Sequence, residues 1–106
     1  MTARNRLEML LQLTASPSAD SFAFYALGME YKSQGKDDEA IEAFSRLRAR
    51  DPQYLPMYLI CGTMLSSKGD KVRARDWLEA GLSVARAAKN QHAASEIESA
   101  LLFLNE

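Results

Sequence analysis

Apolar residues recur every three or four positions along most of the 106-residue chain, and glycine or proline separates the runs. This spacing puts apolar side chains on one face of an α-helix, and no stretch shows the period of two that a half-buried strand requires. The pattern predicts six helices, at about residues 4–14, 21–34, 37–50, 57–68, 71–89 and 91–104. The expected fold class is all-α.

The predicted helix ends carry residues suited to stopping or starting a helix. Gly35 and Gly69 follow two of the runs, and glycine most easily adopts the left-handed conformation that closes a helix. Side chains that can cap or favour the next helix start stand nearby, namely Ser18 or Asp20, the run Asp37, Asp38 and Glu39, and Asp70. Pro17 and Pro52 end the first and third helices.

Two stretches, 24–44 and 58–78, match at a fixed offset of 34 residues. A period of 20 to 50 residues is typical of stacked repeats, in which each unit buries its apolar face against its neighbours. The small residues pair within each stretch, Gly28 with Ala40 and Gly62 with Ala74, so we expect the two helices of a pair to approach closely there. Larger side chains, among them Phe24, Tyr31 and Phe44, would fill the space beside that contact.

These residues resemble the tetratricopeptide repeat. The first stretch has Phe24, Leu27-Gly28 and Tyr31 on one helix, with Ala40, Phe44 and Pro52 on and after the next, all at the spacings of that family. The second stretch is looser, because Arg86 stands where the closing proline would be. The resemblance implies a right-handed α-α superhelix built as one domain over 1–106: a flanking helix at 1–16, repeats at 21–54 and 55–88, and a capping helix at 91–105.

Composition and charge narrow the function. Nearly half of the residues are apolar and the net charge is −1, so the chain is expected to be globular, with no preference for nucleic acid or an anionic membrane. Glu8 interrupts what would be the apolar core of a signal peptide, no apolar run approaches the length of a membrane span, and a single cysteine forms no internal disulfide. A cytoplasmic location is expected.

The side chains that could perform catalysis are sparse. The chain has one cysteine, Cys61, on the apolar stripe, and one histidine, His92, at a helix start; we interpret them as a buried inert thiol and a solvated surface group. The carboxylates 37–39 are expected to favour a helix start rather than bind a metal. We therefore predict no enzymatic activity and no cofactor. Six arginines lie on the second helix of each pair, where a solvated face with local ion pairs is expected: Arg46, Arg48, Arg50, Arg73, Arg75 and Arg86.

The resemblance implies that the first helix of each pair lines a concave groove. The positions that would face it are Phe22, Tyr25, Met29 and Lys32 in the first repeat and Leu59, Thr63 and Ser66 in the second. Phe22, Tyr25 and Met29 lie off the core stripe and are large and apolar, as at partner sites, unless the flanking first helix covers them. Tyr25 and Met29 also replace the Lys and Asn by which some family members grip the carboxylate terminus of chaperones, so that partner class is not expected.

The leading hypothesis is a non-enzymatic adaptor whose groove binds a peptide segment, extended or helical, of a partner protein. Two alternatives stay open. A homodimer could bury Leu102 and Phe103, which lie off the main stripe of the last helix. An accessory module of an RNA-associated or enzyme complex could use the arginine faces, in which case binding would weaken steeply with salt.

Overall fold

The computed structural model describes residues 3–105, and those residues form six α-helices and no strand. The helices are α1 (Ala3–Ala15), α2 (Ser21–Ser33), α3 (Asp37–Arg50), α4 (Pro56–Ser67), α5 (Lys71–Ala87) and α6 (Gln91–Leu104). The predicted all-α class is confirmed, and the predicted ends lie within two residues of those observed. No helix in this part of the chain is both long and apolar enough to cross a membrane.

The chain divides into two compact units, 1–54 and 55–106, and the division falls between the two predicted repeats. In the first unit α1 packs on α2 and α2 packs on α3. Its pair contact is centred on Gly28, where a Cβ would come within 2.5 Å of the fully buried Phe44 ring. Gly28 therefore lies at a close approach of the two helices of the pair, as predicted, and makes room for an aromatic ring. Leu10, Leu27 and Ala43 continue this core between α1, α2 and α3.

In the second unit α4 packs on α5 and α5 on α6, and α4 also touches α6. Gly62 lies against Leu78, with 2.7 Å between an added Cβ and the leucine side chain. A second close contact, which the sequence analysis missed, forms at Gly81 of α5. A Cβ there would overlap the Tyr58 Cβ of α4 and lie 3.3 Å from Ile97 of α6. One glycine thus lets both neighbouring helices approach α5.

The helix starts follow the sequence in two places and depart from it in one. Asp20 and Asp70 cap α2 and α5, accepting hydrogen bonds from the backbone N–H groups of Ala23 at 2.8 Å and Arg73 at 3.1 Å. At α3, however, the capping position is Lys36, whose side chain makes no capping hydrogen bond. The carboxylates 37–39 lie inside the first turn, where they act through the helix dipole.

The helix ends show the same mixture. Gly35 and Gly69 have φ values of +75° and +86°, so the left-handed conformation predicted at both is confirmed. The long fifth helix ends at Ala87, two residues before the predicted Lys89. Lys89 itself has a φ of +57°, and the last turn is closed by hydrogen bonds from the backbone N–H groups of Lys89 and Asn90. A lysine thus occupies a conformation for which glycine would be the usual choice.

Candidate functional site

Four of the predicted groove residues lie along α2, and their exposure falls into two classes. Phe22 is 66% exposed, although its side chain is a large hydrocarbon, and Lys32 is exposed in the last turn. Tyr25 and Met29 are half-buried. The hydrogen bond from Ala23 to the Asp20 carboxylate sets the first turn of the helix that carries them.

Tyr25 packs inside the first unit. Its ring centroid lies 6.1 Å from that of Phe44 and 5.4 Å from that of Tyr54, with both pairs of rings tilted. Such tilted aromatic pairs stabilise a core beyond the area that they bury. Burial raises the pKa of the Tyr54 hydroxyl, and the nearby Tyr25, Asp20 and Asp51 raise it further. The expectation that the core does not need Tyr25 is wrong. Only part of the Tyr25 surface is available to a ligand.

Phe22 lies at the edge of a cleft between α1 and α2. The cleft has a volume of about 470 Å³ and is lined by Met9, Leu13 and Phe22 together with small and polar residues at the α1–α2 turn. Met9 and Leu13 are 43% and 49% exposed. Tyr25 and Met29 do not line this cleft. The first helix therefore lies beside Phe22 and leaves most of it accessible.

The three groove positions of the second repeat lie on α4 and are mostly small or polar. Leu59 and Ser66 are half-buried, and Thr63 is exposed. The Thr63 hydroxyl donates to the carbonyl oxygens of Leu59 at 2.9 Å and Ile60 at 3.0 Å, within its own helix. This face therefore offers less apolar surface than the α2 face.

A polar contact fastens α1 to α2. Glu30, which is buried, accepts hydrogen bonds from the Arg6 guanidinium at 3.0 Å and from the Gln34 side-chain amide at 2.9 Å. The Gln34 hydrogen bond is the main cause that lowers the pKa of the Glu30 carboxyl, followed by the bond from Arg6. The sequence analysis missed this group, although a glutamate on the inner side of an amphipathic helix was a signal that could have pointed to it.

Two of the six arginines make contacts that the sequence analysis did not predict. The guanidinium groups of Arg46 and Arg50 lie 4.9 and 4.7 Å from the centre of the buried Phe24 ring. They also donate hydrogen bonds to backbone carbonyls at the end of α1 and in the α1–α2 turn, those of Thr14 and Ala19. Both arginines are exposed, as predicted, but they also cover an aromatic ring and tie α3 to the preceding segment, which the sequence analysis did not predict. Local ion pairs do form elsewhere, between Arg73 and Asp70 at 3.8 Å and between Arg86 and Glu98 at 3.7 Å.

Neither of the two side chains considered for catalysis lines the cleft between α1 and α2. Cys61 is fully buried, as expected. His92 is exposed, also as expected, and lies 3.2 Å from the Glu96 carboxylate one helical turn away. Within residues 3–105, no three histidine, cysteine, aspartate or glutamate side chains come close enough together to hold a metal ion.

Comparisons with known proteins show which repeat and which solved structures this chain resembles. Residues 21–54 match the model of the tetratricopeptide repeat. The crystal structure of a tetratricopeptide repeat domain protein from Salinibacter ruber aligns with a TM-score of 0.76 at 29% identity, covering 81% of this chain and 96% of that one. A protein from Bordetella parapertussis, solved in solution, aligns with a TM-score of 0.77 at 25% identity, covering 93% and 86%.

A third structure shares the fold at lower identity. It is the type III secretion translocator chaperone SycD of Yersinia enterocolitica, with a TM-score of 0.85 at 18% identity, covering 97% of this chain and 72% of that one. A search of curated proteins found no match to the sequence. Residues 21–54 thus match a tetratricopeptide repeat, and the chain is similar in fold to a solved tetratricopeptide repeat domain protein.

Proposed function

We propose that this protein is a non-enzymatic adaptor that binds a peptide segment of a partner protein along α2. The fold is in general that of a protein–protein interaction module. The observation that carries the proposal is the exposed face of α2, on which a large apolar side chain, Phe22, is 66% exposed and Met29 is half-buried. Side chains of this kind outside a core are typical of surfaces that bind partners.

The chemistry of the face indicates what the peptide would contain. Phe22 and Met29 are seven residues apart, so they lie on the same side of α2 two turns from each other. Methionine adapts its shape to different apolar partners. Lys32 lies one turn further on and adds an exposed positive charge. We therefore infer a peptide with an apolar anchor and an acidic residue close to it in sequence.

Tyr25 and the α4 positions have smaller parts in this proposal. Tyr25 supports the face by packing on Phe44 and Tyr54, and offers the ligand only its remaining surface. Leu59, Thr63 and Ser66 stay predictions for the second unit, to be tested separately. The location of the protein in the cytoplasm is also part of the proposal; its support is that the chain has one cysteine, which is buried.

The proposal can be tested with a phage-displayed library of random peptides selected on the whole chain. The affinity of an enriched peptide is then measured by fluorescence anisotropy for the wild-type protein, Met29→Ala and Lys32→Glu. We expect each variant to bind at least about tenfold more weakly, as is common for anchoring contacts at interfaces. Phe22 is unsuited to this test because it also lines the cleft beside α1.

The matched control is Val72→Ala, which shortens an 82% exposed apolar side chain on α5, a second helix of a pair. It should bind the peptide as tightly as the wild-type protein, and circular dichroism melts should show that all variants fold. The proposal is wrong if no peptide is enriched above a tag-only control, or if Met29→Ala and Lys32→Glu bind the enriched peptide with unchanged affinity.

One alternative has an observation in its favour. Leu102 and Phe103 on α6 are 69% and 73% exposed, which supports self-association. The alternative of an RNA-associated accessory module gains no such support, because Arg46 and Arg50 contact Phe24 and backbone carbonyls of their own unit.

A further inference from the structure

The first unit has another cleft, which the function proposed above does not use. It has a volume of about 270 Å³ and is lined by residues of α1, α2 and α3. We call it the α3 cleft, because most of its lining residues belong to that helix, namely Asp38, Glu39, Glu42, Ala43 and Arg46. No residue of the proposed peptide-binding face of α2 lines it, so the two surfaces are separate.

The bottom of the α3 cleft is apolar. Leu27 and Ala43 are 1% and 2% exposed and pack together with Leu10 in the core of the unit. Leu11, which is 42% exposed, and the half-buried Tyr31 also line the cleft. An alkyl chain that enters the cleft would therefore lose contact with water, and the Tyr31 ring would attract a positive charge placed near it.

The repeat period indicates why α3 leaves this space open. Ala43 of α3 and Trp77 of α5 are 34 residues apart, so they hold the same position in the two repeats. Trp77 is 4% exposed, and its ring centroid lies 5.7 Å from that of Tyr58. The methyl group of Ala43 is much smaller than an indole. The first unit thus keeps space beside Leu27 that a larger side chain at position 43 would fill.

The α3 wall of the cleft is acidic. Asp38, Glu39 and Glu42 line it, and all three are exposed. Within residues 3–105, neither Glu39 nor Glu42 has a side-chain partner in an ion pair. Glu42 lies beyond the first turn of α3, so an effect on the helix start does not account for it. In the second repeat, the position of Glu39 is occupied by Arg73.

Arg46 also lines the α3 cleft, but its guanidinium group has other contacts. It lies 4.9 Å from the centre of the Phe24 ring and donates a hydrogen bond to the Thr14 carbonyl oxygen at 3.4 Å. In the described part of the chain it forms no ion pair with Glu39 or Glu42. The cleft therefore combines an apolar bottom with carboxylates whose charge is not neutralised within the unit.

We propose that the α3 cleft binds a lysine or arginine side chain of a partner protein. The alkyl stem lies on Leu27 and Ala43, and the charged end lies near Glu39 and Glu42, beside the Tyr31 ring. Long basic side chains suit such a cleft because they cover apolar surface with the stem and keep the charge at the rim. The cleft is smaller than the roughly 300 to 1,000 Å³ of small-molecule pockets, which favours a single side chain presented by a protein.

The inference does not rest on peptide binding along α2, and its test uses different probes. Acetylated and amidated peptides Gly-Ser-X-Ser-Gly carry arginine, lysine, citrulline or norleucine at X. Citrulline keeps the shape of arginine without its charge, and norleucine keeps only an alkyl chain. Each peptide is titrated to about 10 mM into the isotope-labelled whole chain, a range that detects single-side-chain affinities. The backbone amide signals of Leu27, Tyr31 and Ala43 are followed by nuclear magnetic resonance.

We expect the arginine and lysine peptides to shift these signals with a dissociation constant of about 1 mM. The citrulline and norleucine peptides should bind at least about fivefold more weakly, and Glu39→Gln with Glu42→Gln should weaken the basic peptides by a similar factor, as expected for exposed charge pairs. Both glutamates are exposed, so circular dichroism melts should show that this variant folds. The matched control is Asp76→Asn with Glu79→Gln, which removes two exposed carboxylates at the same spacing on α5 and should bind like the wild-type protein.

Four results would overturn the inference. Neither basic peptide could shift the signals of the α3 cleft at the highest concentration. The norleucine peptide could bind as tightly as the lysine peptide, which would leave the carboxylates without a part in binding. The signals that move could belong to the α2 face instead of the cleft. The control variant could lose as much affinity as Glu39→Gln with Glu42→Gln, which would indicate a general attraction of basic peptides to acidic side chains.

Discussion

Different interactions hold the outer helix of each unit, α1 in the first unit and α6 in the second. In the first unit, α1 is fastened to α2 partly by the charged hydrogen bond of Arg6 to Glu30, whose carboxylate is also held by Gln34 at the end of α2. In the second unit, α6 is held on α5 by close packing at Gly81, where Ile97 and Tyr58 converge. Polar contacts of this kind depend on protonation, whereas close packing depends on shape. The attachment of the outer helix should therefore be sensitive to pH in the first unit and to side-chain size in the second.

The largest expected effect comes from adding one methyl group at Gly81. Its Cβ would overlap the Tyr58 Cβ, which is fixed to the α4 backbone, so α4 and α5 would have to separate. We expect Gly81→Ala to lower the free energy of unfolding by about 3 kcal/mol, the upper part of the usual range for overpacking. Trp77, the only tryptophan, is buried in the second unit, so its fluorescence follows the unfolding of that unit in urea.

The comparator for this prediction is Gly28→Ala in the first unit. The added methyl group would press on the edge of the Phe44 ring at 2.5 Å, and a ring edge can shift more than a main-chain-attached carbon. We expect a smaller loss, observed by circular dichroism. A Gly81→Ala protein that is as stable as the wild-type protein, in both signals, would contradict the packing contrast between the units.

A smaller effect is expected when Glu30 is neutralised, and it depends on pH. The pKa of Glu30 in the folded protein is lowered from its ordinary value of 4.5, so the carboxylate stabilises the fold above that value. This stabilisation is lost as the pH falls from 4.5 through the lower folded pKa. Glu30→Gln should therefore lower the melting temperature at pH 7 and reduce the further loss on acidification.

The measurement is a series of thermal melts between pH 3 and pH 7, followed by circular dichroism. Glu79→Gln is the matched control, because Glu79 is an exposed carboxylate on α5 in the other unit. If the wild-type protein and Glu30→Gln lose stability in parallel as the pH falls, the Glu30 carboxylate does not stabilise the packing of α1 on α2.

The smallest effects are expected at the helix starts. Asp70 caps α5 through the Arg73 N–H group, and Asp70→Ala should cost about 1 kcal/mol. At the corresponding start of α3, Lys36 makes no side-chain cap, so Lys36→Asp should stabilise the first unit. The gain should be smaller than the loss, because three carboxylates already occupy that turn. Urea titrations of both variants would check this. A loss of stability in Lys36→Asp would show that the missing side-chain cap at Lys36 does not limit the stability of the first unit.

Local signals predicted much of the backbone. Glycine at 35 and 69 indicated two left-handed helix ends, and aspartate at 20 and 70 indicated two caps, because each depends on residues only a few positions apart. The end of α5 was missed, since Lys89 carries no local sign that it adopts a positive φ. The repeat spacing likewise placed Gly28 in a helix-pair contact, but it did not show that the Phe44 ring lies against Gly28, because the offset shows which positions correspond and not which side chains touch.

The candidate site was harder to predict than the fold. The α2 spacing put Phe22, Tyr25 and Met29 on one side of the helix, yet the packing of Tyr25 on Tyr54 joins residues 29 positions apart. The stacking of Arg46 and Arg50 on Phe24 and the burial of Glu30 also depend on contacts between different helices. Hydrophobic periodicity describes one helix at a time, so it assigns a face but not its neighbours.

The packing order of the helices has a consequence for how quickly each unit forms. In the first unit the most extensive contacts between described helices join neighbours along the chain, α1 with α2 and α2 with α3, and the second unit adds a smaller contact of α4 with α6. The loops that must close are therefore short, and closing them requires little search of chain conformations. Each unit should cross its folding barrier on the microsecond to millisecond scale of helical domains, before slower processes such as aggregation compete.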